Sequence, residues 1–166
     1  LSKKFTKFLQ LGICYEAGVA LNKTDELAVN FYETNLMVHA DLIYRISYAL
    51  SLNLDDAKKL TMGAFGEVAD NLEALIASGK TEFKKHLLKL AWKKYSDGGL
   101  GGSKGTTAIS QALSPIESSA RAALIFVDLA GLSVKHAAEL LEMDEKSFRL
   151  KLASARRELM MSPLKY

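Results

Sequence analysis

The sequence predicts an all-α protein: two small helical domains joined by a Gly-rich linker, the second a helix-turn-helix. Three observations predict it. Only 2 of the 166 residues are Pro. Apolar residues recur at spacings of three and four, and no segment sustains the strict apolar–polar alternation of a strand. Between two such periodic regions lies Ser96-Asp97-Gly98-Gly99-Leu100-Gly101-Gly102-Ser103-Lys104-Gly105-Thr106-Thr107, whose composition is that of a flexible linker. The expected organisation is a helical domain over 1–96, a linker over 97–113 and a helix-turn-helix domain over 114–166. The Gly-rich stretch contains Lys and Thr, as a phosphate-binding loop does. It fails as one, because Ser103 rather than Lys follows Gly102 and no strand precedes it.

In chain order, residues 3–21 read as an amphipathic helix with Phe5, Phe8, Leu9 and Ile13 on one side. Thr24-Asp25-Glu26 resembles a helix start, with acids in the first turn. A further helix is expected over Leu36–Leu52, burying Leu42, Ile43, Ile46 and Leu50. Asn53 or Asp55 can cap the next, Asp56–Ala77, on which Leu60, Ala64, Phe65, Val68 and Leu72 form the stripe. Thr81 can cap a helix over Glu82–Tyr95, with Phe83, Leu87, Leu90 and Ala91 facing inward. Pro115 suits a first helical turn after Ser114, and Ala120–Leu129 is a strongly apolar helix closed by Gly131.

The stretch Gly131–Leu159 reads as two short helices and a tight turn. Ser133 caps the first, Ala137, Ala138 and Leu141 pack inward, and the chain turns near Glu142–Met143. Asp144, or alternatively Ser147, caps the second. On that second helix Phe148, Leu152, Ala155 and Leu159 make the inward stripe. Lys146, Arg149, Lys151, Ser154, Arg156 and Arg157 occupy the remaining surface. Apolar stripe, caps and basic face together predict a helix that enters the DNA major groove; the alternative is a solvated basic face on an ordinary helical hairpin.

Charge is distributed to match. The net charge is +3, but residues 80–104 hold seven lysines against two acids, and residues 146–166 hold six basic groups against Glu158. Two basic patches in an otherwise acidic chain predict two contacts with a polyanion. Lys84, Lys85, Lys89, Lys93 and Trp92 make the first patch, a cationic surface with an aromatic on which an unpaired base can stack. A Trp packed at a domain edge is the simpler expectation for that ring taken alone.

Hydrophobic residues are 49% of the chain, enough for a packed core. One Cys, Cys14, cannot form an internal disulfide, so a cytoplasmic location is expected. His39, His86 and His136 lack metal-ligand spacing, and no cofactor is expected. No apolar run approaches a membrane span, so no membrane association is expected. Lys3, Lys4 and Lys7 precede an apolar stretch in the order of a signal peptide. Glu16 and the lack of a small-residue cleavage site argue against one. With no convergent Cys/His/Asp set and no paired carboxylates, the chain is not expected to be an enzyme.

Taken together, LSP…ARAALIFVDLAGLSVKHAAELLEMDEKSFRLKLASARREL resembles the promoter-reading C-terminal domain of the small bacterial sigma factors of the extracytoplasmic-function type. LIYRISYALSLNLDDAKKL looks like the start of their core-binding segment, and EFKKHLLKLAWKKYSD like the helix before their linker. The resemblance covers about residues 25–161. It implies promoter DNA and RNA polymerase core as partners, with Arg149, Lys151, Ser154 and Arg156 on the DNA; the basic face adds Lys146 as an expected DNA contact. Three departures stand out: Lys58-Lys59-Leu60-Thr61-Met62-Gly63-Ala64-Phe65 replaces a segment usually acidic and Gln-containing; Glu142 replaces a turn Gly; and Leu150 stands where the family has a small polar residue. Loss of polymerase-contacting residues is also seen in degenerate sigma-like domains that bind an anti-sigma factor as decoys.

Overall fold

The computed structural model describes residues 23–77, 83–98 and 105–162, and no strand occurs among them. The helix expected at 3–21, the Thr81 cap and residues 99–104 of the Gly-rich segment lie outside the described residues.

Helix α1 spans Lys23–Asn35. A 3-10 turn, Met37–His39, separates it from α2, Ala40–Ser51, so the continuous helix expected from Leu36 is divided. Leu36 is fully buried while its N–H still bonds the Tyr32 carbonyl, and the chain redirects before α2 begins. Leu52 closes α2 in the left-handed region, φ 57°, a conformation that costs most side chains about 1 kcal/mol or more. Its side chain is 1% exposed, and that burial offsets the cost.

Helix α3 spans Leu54–Asp70, and the Asn53 side chain caps it by accepting from the N–H groups of Asp55 and Asp56. The single helix expected through Ala77 breaks at Asn71, and α4 covers Leu72–Ala77. The break has a local cause: the Asn71 amide donates to the Glu67 carbonyl at 2.9 Å, a side chain competing with the backbone ladder. All five expected stripe residues of this region are buried. Helix α5, Phe83–Asp97, buries Phe83, Leu87, Leu90 and Ala91 as expected, and Leu88 as well.

Residues 108–113, expected as the end of the linker, are instead helix α6, Ala108–Leu113. Thr107 caps it by accepting from the Ser110 N–H, and Ala112 and Leu113 give it apolar surface to bury. This relocates Ser114-Pro115. The Ser114 N–H closes α6 on the Ser110 carbonyl and does not open the next helix. Glu117 does that, its carboxylate accepting from the N–H groups of Ser119 and Ala120 at 3.0 Å each. Helix α7, Ser118–Leu124, continues as a π-helical turn, Ile125–Leu129, and Gly131 exits at φ +68°. Helices α8, Val134–Leu140, and α9, Glu145–Met161, complete the described chain.

One contiguous set of buried side chains runs from Tyr32 to Ala155, so both sides of the expected linker contribute to the same core. Arg121 of α7 sits in the seam, 7% exposed. Its guanidinium donates to the carbonyls of Leu113, Ile116 and Leu50 and to the Tyr95 hydroxyl, at 3.3, 3.2, 2.9 and 2.9 Å. Every acceptor is neutral, and Nε has no hydrogen-bond partner among the described residues. Beside it, the Gly105 N–H bonds the Leu52 carbonyl at 2.7 Å. A Cβ at Gly105 would meet that oxygen at 3.1 Å and the Tyr48 hydroxyl at 3.3 Å, so this glycine serves close approach.

Candidate nucleic-acid interface

The α8–α9 pair is built from the caps that the sequence offers. The Ser133 side chain accepts from the His136 N–H, and Asp144 accepts from the Ser147 N–H at 2.9 Å. That bond, with a further one from the Ser147 side chain, holds the Asp144 carboxyl below its ordinary pKa. Glu142 makes the turn in the left-handed region at φ 54°. Phe148 and Ala155 are fully buried and Leu152 is 5% exposed, which fixes the inward side of α9 against α7.

With that side fixed, a helix advancing about 100° per residue sets the rest of the surface. Lys146, Leu150, Ala153, Ser154 and Arg157 lie on the side directed away from the core, and all are exposed. Leu150 is near its centre and is 67% exposed. Arg149 flanks this strip and pairs with Glu145 one turn earlier at 3.3 Å. The Ser154 hydroxyl donates to Glu158 at 3.0 Å.

Lys151 and Arg156 lean the other way, back to α7 and its π-helical turn. Lys151 Nζ lies 3.2 Å from Glu117, and Arg156 makes a two-point contact with Asp128 at 3.0 and 2.6 Å. Burial alone would raise the Glu117 pKa. Hydrogen bonds from the Ser119 hydroxyl, two backbone N–H groups and Lys151 outweigh it and pull the value down to about 2. The Asp128 contact raises the Arg156 pKa further. These two cations are matched by carboxylates, as Arg149 is by Glu145, and unlike Arg149 they are drawn to another element, away from the outward strip. Lys146 and Arg157 have no carboxylate partner among the described residues. The sequence places Arg157 on the helix surface without assigning it to DNA. The signal that finds it is the spacing from Phe148 and Ala155, which puts it opposite the buried stripe.

The five α5 residues divide. Lys84 lies toward the 3-10 turn, where burial lowers the His39 pKa and the Lys84 charge lowers it further. Lys85, Lys89, Trp92 and Lys93 face α8. Lys85 Nζ is 3.4 Å from His136 Nε2, and Lys85, Lys89, His136 and Glu139 line a shallow cleft of about 170 Å³. A second cleft, about 280 Å³, lies between Lys89, Trp92 and Lys93 on one wall and Leu140, Leu141 and Glu142 on the other. Trp92 is half-buried, its ring edge-on to Phe126 at 6.2 Å and tilted against Tyr95 at 5.8 Å. The α5 patch is thus walled by α8, and the outward side of α9 is open. Among the described residues no group of three His, Cys, Asp or Glu could hold a metal ion, and no helix is long and apolar enough to cross a membrane. No family model matches the chain, and no curated protein matches it.

Proposed function

We propose that this chain is a sigma-factor-like transcription regulator that binds promoter DNA and RNA polymerase to direct initiation. The observation that carries the reading is the outward strip of α9. A capped helix presents Lys146, Arg149 and Arg157 around an exposed centre, on the far side from a fully packed stripe. That is the construction a recognition helix needs: one side ordered by burial, the other free for the major groove. Phosphate contacts would set its position and base contacts its specificity. The lysines and Trp92 along the α5–α8 cleft would follow an unpaired strand next to the duplex.

The test begins with selection of preferred duplexes from a random library, followed by titration against scrambled controls. Arg149→Ala is expected to cost about 1–3 kcal/mol on the selected duplex and to relax preference at one position. Equal, weak binding to selected and scrambled duplexes, unchanged in the variant, would remove the promoter reading.

A second reading has its own support. Lys58 and Lys59 lie on the exposed side of α3, near Asp55 and Asp56, with Leu54 and Met62 exposed beside them in sequence. Two large apolar side chains exposed on one helix suit the apolar centre of a contact with a regulatory protein such as an anti-sigma factor, for which this chain would be a decoy. Co-elution with core polymerase, with and without duplex, separates the two: the first reading requires a complex and the decoy reading requires none.

A further inference from the structure

We propose that Leu150 is a specificity-determining contact that reads the C5-methyl group of a thymine in the major groove. The inference rests on the α9 strip being the duplex-contacting surface and goes beyond it by naming what the centre of that strip recognises. Leu150 projects from the middle of the outward side with 67% of its surface exposed. Within two turns its neighbours there are small or cationic: Ala153 and Ser154 one turn later, Lys146 one turn earlier, Arg157 two turns later; the exposed Met160 and Met161 lie about three turns on, at the end of the helix. An isolated apolar side chain ringed by cations is poorly suited to a hydrophobic protein interface, where charged groups are depleted from the centre. It is well suited to DNA, where the cations meet phosphates and base edges and the one apolar feature in the groove is the thymine methyl. Lys151 and Arg156, tied to Glu117 and Asp128, flank this centre without crossing it. The geometry therefore assigns the central contact to a methyl-sized apolar target, with Arg149 beside it placed for a guanine edge.

The experiment uses the full chain and a selected duplex in which each thymine is replaced in turn by uracil, which lacks only the methyl group. For the wild type, replacement at one position should weaken binding roughly four-fold, the value of one buried methyl, and replacement elsewhere should have no effect. Leu150→Ala, at an exposed site where folding is not at stake, should bind the thymine and uracil duplexes equally. Wild-type binding that is sequence-specific yet indifferent to uracil at every position overturns the Leu150 assignment and leaves the promoter reading standing. Loss of all sequence preference overturns both. A Leu150→Ala variant that still discriminates thymine from uracil also overturns the assignment, because another residue then reads the methyl.

Discussion

Helices α5 and α9 carry the same kind of sequence: basic residues interleaved, in mid-helix, with a large apolar residue on the side away from the main stripe, Trp92 on α5 and Leu150 on α9. Their surroundings differ. On α5 that residue, Trp92, packs against Phe126 and Tyr95, and its lysine neighbours face α8 across a cleft. On α9 the residue is Leu150, and the side around it is open. Charge pattern reports which residues avoid the core. Whether a neighbouring element covers them depends on contacts distant in sequence, here Trp92 with Phe126 and Arg121 with Leu50 and Tyr95.

The largest expected effect tests the orientation of α9 itself. Phe148→Ala should destabilise the protein by roughly 3–5 kcal/mol, the usual cost of truncating a buried aromatic, measured by denaturant unfolding. A change below about 1 kcal/mol would mean that α9 turns its other side to the core.

Next in size is the direct contrast of the two apolar residues. Trp92→Ala should cost about 2 kcal/mol, short of the value for full burial because the ring is half-buried. Leu150→Ala should fall within about 0.5 kcal/mol of zero. Equal losses by the same unfolding measurement would erase the distinction between a covered and an open face.

A smaller effect is expected at the turn that aims α9. Glu142 holds φ 54° without the freedom of glycine, and its side chain is exposed, so no burial compensates. Glu142→Gly should raise stability by about 1 kcal/mol in thermal unfolding. A loss of stability would show that the Glu142 side chain stabilises the turn by some contact of its own.

These residues also show what was legible in advance. The helical class, the Ser133 and Asp144 caps, the Phe148–Leu152–Ala155 stripe and the left-handed exit at Gly131 follow from short-range chemistry, and the sequence carries them openly. Boundaries set by competing short-range options were harder. Asn71 interrupts a helix by bonding backward to Glu67, and Glu117 displaces Ser114 as the start of α7 because one carboxylate serves two N–H groups. The seam was not legible at all. Arg121 is a cation in a run read as strongly apolar, and nothing in that run names the Leu50 carbonyl, 71 residues away, that meets it with those of Leu113 and Ile116 once the chain folds. The candidate interface was legible in outline. The spacing picks out the basic side of α9, whereas the withdrawal of Lys151 and Arg156 depends on Glu117 and Asp128, which lie 34 and 28 residues away.

The central claim is that duplex DNA is met by the open strip of α9 and not by the walled lysines of α5. Salt dependence of duplex binding tests it most directly, because removing one phosphate-binding cation flattens the slope by about one. The double variant Lys146→Ala/Arg157→Ala should lower the slope of log K against log salt by about two. Lys85→Ala/Lys89→Ala should leave it unchanged. The reverse result, a slope lowered by the α5 pair and untouched by the α9 pair, would contradict the account.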